Sequence, residues 1–294
     1  NTLTLTGANT YTGATTIAGG TLQIGDGGST GSLSISSAIS GSSGSTLAFN
    51  RSDAVAQGTD FAAGIGGDLG ITKSGAGTLT LNAANTYTGD TTISGGKIRI
   101  SNNDALGTTA GRTVIQNGAS LELTGGITIA EAITNQGGGG GKLNSVSGTN
   151  TLTGLITLEG GMDLRGNNYI FKGGFTSANN SGINFNGANY IVQDTAITIG
   201  SGAFGVTSAA NFAANATEIN VGGNVWGTTR INFGGYLKIG GTDFLPTSTD
   251  VEFGWSTQGN SWGTLDLNGF NQSVASIGIA SISVGLGGDQ KITG

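Results

Sequence analysis

An ungapped internal repeat constrains this chain more than any other feature. Residues 2–24 read TLTLTGANTYTGATTIAGGTLQI and residues 78–100 read TLTLNAANTYTGDTTISGGKIRI, an offset of 76 residues. Leu3 aligns with Leu79, Leu5 with Leu81, Tyr11 with Tyr87 and Ile17 with Ile93. A partial third copy, GTLDLNG at 263–269, sets Leu265 and Leu267 in the same places. Thr2-Leu3-Thr4-Leu5-Thr6 alternates strictly, which sends both leucines to one face of a strand. The alternation recurs at Leu121/Leu123, Ile127/Ile129, Ile156/Leu158, Ile277/Ile279 and Ile282/Val284. Gly-Gly, Asn-Gly and Gly-Ser pairs between these runs supply corner residues, and no helical apolar stripe of useful length appears.

Strands of about 4–6 residues, with turns every 8–12 or so, leave a sandwich, a barrel or a solenoid. The ungapped repeat favours the solenoid, because each repeat of a solenoid packs only on its neighbours. Coils of roughly 20–25 residues stacked at ~4.8 Å predict about a dozen coils and a rod of about 60 Å. Composition fits a folded chain. Charged residues are only 10% against 36% hydrophobic, and 58 Gly with 1 Pro show no three-residue collagen period.

Several function classes lose ground on composition. With no Cys there is no disulfide framework and no thiolate metal site; the absence suits export in an unfolded state. No run approaches the ~18 apolar residues of a membrane helix, so no membrane insertion by this segment is expected. Eleven Lys and Arg, thinly spread in a chain of net charge −6, argue against nucleic acid and anionic membranes as partners. Asn1 opens inside a repeat and no signal peptide precedes it, so the chain is expected to be a piece of something longer.

At GTLTLNAANTYTGDTTISGGKIRI (77–100) and its copy at the start, the sequence resembles the autotransporter-associated β-strand repeats, also called passenger-associated transport repeats. The same resemblance extends over NDALGTTAGRTVIQNGASLELTGGITIAEAIT (103–134), SGTNTLTGLITLEGG (147–161) and 237–277. It implies a right-handed parallel β-helix, extracellular on the bacterial cell surface, adhesive or structural, with no catalytic residues. The expected organisation is one continuous β-helix over 1–294, repeat-like in 1–161 and 237–277. Residues 162–236 fit the repeat poorly and form a divergent, aromatic-rich segment.

Catalytic, metal and cofactor sites are tested and set aside. Without His or Cys the usual general base and the best nucleophile are missing. Gly259-Asn260-Ser261-Trp262-Gly263 matches a nucleophile elbow with no base to serve it. Gly137 to Gly141 before Lys142 lacks the spacing of a phosphate loop, with Gln136 and Leu143 at the positions that matter. A polysaccharide-degrading enzyme would need paired carboxylates on adjacent coils, whereas Asp26, Asp53, Asp60, Asp68, Glu122, Glu131, Glu159, Asp163, Asp194 and Glu218 are scattered. Gly66-Gly67-Asp68 does not recur as a calcium repeat.

Two surfaces remain. Fifteen of the nineteen aromatics fall between Tyr169 and Phe270. Phe is expected mainly in the core, while Trp226, Tyr236, Trp255 and Trp262 are the candidates for a glycan-binding face, making glycans on cells or matrix possible partners. The second surface is the strand-like termini. Thr2, Leu3, Thr4 and Leu5 at one end and Lys291, Ile292 and Thr293 at the other are expected to expose unpaired backbone. Joined end to start they read ITG-NTLTLTG, close to VSGTNTLTG at 146–154. The expected partner is therefore another copy, head to tail, or a neighbouring passenger segment.

Overall fold

The computed structural model describes residues 1–61, 64–137, 141–207, 216–254, 263–279 and 291–293. Those residues form strands and turns without helix, stacked as a parallel β-solenoid of about 12 coils. Every strand pairing between the named strands is parallel, as the alternating repeats require when the chain always circles in one sense.

Each coil has three faces. The first carries ten strands, from Thr2–Leu5 to Ile197–Thr198. The second runs from Val55–Ala56 through Thr78–Leu81, Lys97–Ile100 and Ser120–Leu123 to Ser276–Ile279. The third begins with Thr15–Ile17, Ile39–Gly41 and Ile65–Gly67 and ends at Lys291–Thr293. The long strands Met162–Phe171 and Ile183–Val192 run round the corner between second and third faces, pairing along both. Asn168 and Asn189 turn that corner at φ 63° and 59°, and Asn189 Nδ2 donates to Asn168 Oδ1 at 2.7 Å. Asn is among the few non-glycine residues that adopt this conformation readily.

The 76-residue repeat is not a whole number of coils. Thr2 pairs with Thr21, Thr21 with Thr46, and Thr46 with Gly70, so three coils lead from the first copy to Gly70. The second copy begins at Thr78, eight residues later and on the next face. The two copies thus share local structure on different faces of the rod. Their leucines still point inward, because the alternation carries the inward direction whichever face it lies on.

Leu79, Leu81 and Leu265 are buried, and Leu5 and Leu267 pack against the core from its edge. Leu3 departs from the expectation at 62% exposed, although it is in register with buried Leu22. Its strand pairs on one side only, so nothing among the described residues covers it. Ile277 and Ile279 are exposed for the same reason, lying over Val251 and Phe253 on a strand with one neighbour. Ile282 and Val284 lie outside the described residues.

Candidate functional site

The repeated NTYTG segments are corners, and their polar side chains bond within and between coils. Tyr11 and Tyr87 hydroxyls bond Thr15 and Thr91 Oγ1 at 2.8 and 2.7 Å. Asn9 and Asn85 each donate from Nδ2 to a carbonyl of the following coil, Ser32 and Ala105. Asn85 Oδ1 also accepts the Ile65 N–H of the preceding coil at 3.0 Å. Asn150 and Asn224 repeat that device, accepting from Ile127 and Ile197. A buried corner N–H with no sheet partner must find one, and a stacked asparagine supplies it.

Two details mark these corners. Tyr87 is wholly buried, whereas Tyr11 is 41% exposed. Neither Gly13 nor Gly89 is among the positive-φ glycines. Gly89 is glycine because a Cβ would lie 2.5 Å from Leu69 O, against backbone that cannot yield.

The aromatic segment is chiefly core. Phe185 packs on Phe204 with centroids 5.1 Å apart, and Phe204 stacks on Trp226 at 4.6 Å and 21°. Trp226 is 1% exposed and donates from Nε1 to Thr229 Oγ1 at 2.7 Å. This corrects the placement of Trp226 on a glycan face: its indole is buried against Phe204 and has its polar atom satisfied indoors. Tyr236 is half-buried, with its hydroxyl donating to Asp266 Oδ2 at 2.8 Å; burial and that bond raise its pKa. Trp255, Ser261 and Trp262 lie outside the described residues, as do residues 138–140 of the glycine run. Phe233 and Phe270 are exposed aromatics that the sequence did not single out.

Several of the carboxylates are paired with cations. Glu122 receives Lys97 at 2.9 Å and Arg99 at 2.7 Å. Its burial raises the pKa, and the two cations outweigh that and hold it below the usual carboxylate value. Asp53 pairs with Arg51, Asp194 with Lys172 and Glu218 with Lys238. Glu131 is different. It is 5% exposed, and burial pushes its pKa up to about 8. Thr113 donates to its Oε1 at 3.2 Å, while Oε2 has no partner. A raised carboxyl is a catalytic signature when it sits in a cleft, but this one is sealed between coils. Lys73 is its counterpart, buried in register with Phe49 and Ile93 and bonded to Gly75 O. Burial lowers its pKa to about 8. Among the described residues, no group of three His, Cys, Asp or Glu is arranged to hold a metal, and no helix is long and apolar enough to cross a membrane.

The second face carries the outward polar residues. One ladder runs Lys97, Ser120, Lys142, Asp163, Asn184, Gly205, Arg230, Glu252 in successive coils. Across its middle lies a groove of about 350 Å³ lined by Asp163, Asn184, Thr207, Arg230 and Asn232, with Gly161, Gly182, Ala203 and Gly205 also along it. Asn184 Nδ2 donates to Asp163 Oδ1 at 3.2 Å, and Thr207 Oγ1 to Asn184 Oδ1 at 3.0 Å. The sequence held a signal for this stack that the 76-residue repeat overshadowed: GNNYI at 166–170 and GANYI at 187–191 are 21 residues, one coil, apart.

The fold and its corners define a parallel β-solenoid scaffold. Residues 1–24 and 71–100 match the passenger-associated-transport-repeat family. The resemblance seen over 103–134, 147–161 and 237–277 lies outside those matched residues. The adhesin BmaC autotransporter of Brucella suis biovar 1 (strain 1330) is 42% identical over 91 residues. That stretch is 31% of this chain and 3% of that protein. No solved structure matches the chain.

Proposed function

We propose that this chain is a non-catalytic stretch of a passenger displayed outside a bacterial cell, serving as a stiff scaffold for adhesion. The observation that carries this reading is the coil stack itself, in which the two repeats spend Asn9 and Asn85 on joining coils and bond Tyr11 and Tyr87 to Thr15 and Thr91 within the corner. The similarity to a protein named as an adhesin autotransporter supports the adhesive role and the surface location. Antibodies raised against the chain are expected to label intact cells of the source bacterium, and external protease to remove the label. Labelling that requires permeabilised cells would overturn the location.

A second reading concerns the edges. Leu3, Ile277, Ile279 and Ile292 are large apolar side chains left exposed in register with buried columns. We infer that a further coil covers each edge, and that a second copy stacked head to tail can supply it, giving an open filament. Sedimentation over a wide concentration range tests this. Concentration-dependent growth, lost in the Leu3→Lys/Leu5→Lys double variant, supports a filament; a monomer at all concentrations refutes it and leaves neighbouring passenger sequence as the cover.

A further inference from the structure

We propose that the groove on the second face binds a neutral saccharide, one or two sugar rings long. Three observations carry this. First, one residue of the groove lining holds an unmet acceptor. Asn232 is 1% exposed and its Oδ1 has no hydrogen-bond partner in the protein, an arrangement that costs stability unless something donates to it. Asn232 lines the groove and lies in register with Thr207 on the adjacent coil.

Second, the charges are already cancelled. Asp163 is paired with Arg165 at 2.7 Å, and Arg230 Nε with Glu252 at 3.0 Å. A charged ligand would find no uncompensated counter-charge. A hydroxylated one finds an acceptor at Asp163 and the remaining donors of the Arg230 guanidinium, which has five N–H groups in all, and reaches the buried Asn232 Oδ1 when the lining yields around it. The volume of about 350 Å³ lies at the small end of ligand sites.

Third, an exposed aromatic follows the groove residue Asn232 in the chain, against two costs. Phe233 directly follows Asn232, is 39% exposed, and has φ 50°. A bulky side chain in the left-handed region is strained, and such strain gathers at binding sites. An exposed ring next to a hydroxyl-binding amide is the pairing that sugars use, since a pyranose has one apolar face and a rim of hydroxyls.

The proposal depends on the folded coils and not on where the protein is displayed. Its test is calorimetric titration of the full chain with neutral mono- and disaccharides, and with carboxylated and sulfated sugars as contrast. Millimolar binding of a neutral sugar, insensitive to salt, is expected. Asn232→Leu and Arg230→Ala should each weaken it by about tenfold, the loss of one good hydrogen bond to a charged or buried group. Phe233→Gly should weaken it while leaving the melting temperature unchanged or raised, because strain is relieved. Asn232→Leu should likewise keep or gain stability, which a merely structural residue would not. No binding by any neutral sugar, binding confined to charged sugars and abolished by salt, or binding unchanged in these variants would each overturn the proposal. So would a high-resolution structure of a sugar-soaked crystal with solvent alone in the groove.

Discussion

Replacing Trp226 by alanine separates a core residue from a surface one. The indole is 1% exposed and stacked on Phe204 with centroids 4.6 Å apart. Truncating a buried Trp to Ala costs about 3–5 kcal/mol, and loss of the aromatic pair contributes about 0.5–1.5 kcal/mol of specific geometry within that. No orphan is added, because Thr229 Oγ1 keeps its 2.9 Å bond to Thr249. We therefore expect a loss of about 4 kcal/mol, and about 1–2 kcal/mol for Trp226→Phe, which keeps the stack and loses the Nε1 bond. In a solenoid such a loss is felt first by neighbouring coils. The assay is urea denaturation followed by circular dichroism, with tryptophan emission losing its blue-shifted component. An unchanged transition, together with loss of sugar binding, would refute this account and return Trp226 to the surface.

Other perturbations test the corners and the buried charges. Gly89→Ala drives a Cβ to 2.5 Å from Leu69 O and should cost about 1–3 kcal/mol. Gly13→Ala, at the same repeat position with nothing within 4 Å, should be neutral or slightly stabilising by thermal melting. Asn150→Leu leaves the Ile127 N–H without its 3.0 Å acceptor and should cost about 1–3 kcal/mol, read by the urea midpoint. For pH, Glu131 titrates near 8 when folded against 4.5 in its ordinary state, so the folded chain holds the extra proton between those values. Stability should then fall as pH rises from 4.5 to 8, and Glu131→Gln should flatten that fall in melts across the range. Lys73, near 8 when folded against 10.5, works oppositely, and stability should recover from pH 8 to 10.5.

The fold was legible because alternation and repetition are local signals. Leu79 and Leu81 announce an inward face, and the ungapped copy announces stacking. Neither says how many residues make one turn. The 76-residue period crosses three coils and one further face because coil lengths vary, with Thr2, Thr21, Thr46 and Gly70 in one column at uneven spacing. The candidate site was less legible. Trp226 belongs to a residue type that suits both a core and a sugar platform, and only its burial against Phe204 decides. The groove escaped notice since Asp163, Asn184, Thr207 and Arg230 stand about a coil apart in sequence and meet only after stacking. Asn232 and Phe233 are ordinary in a sequence; burial without a partner and a left-handed backbone make them unusual.

The central claim, a straight parallel stack, is tested most directly by distances along one outward ladder. The chain has no cysteine of its own, so paired Cys variants can be spin-labelled cleanly at Thr78, Lys142 and Glu252. Thr78 leads to Lys142 through Lys97 and Ser120, three steps of ~4.8 Å or about 14 Å. Lys142 leads to Glu252 through Asp163, Asn184, Gly205 and Arg230, five steps or about 24 Å. Electron–electron resonance should return those two distances and, for Thr78 with Glu252, close to their sum of about 38 Å. A Thr78–Glu252 distance well short of that sum would mean that the chain folds back on itself, and would contradict the solenoid.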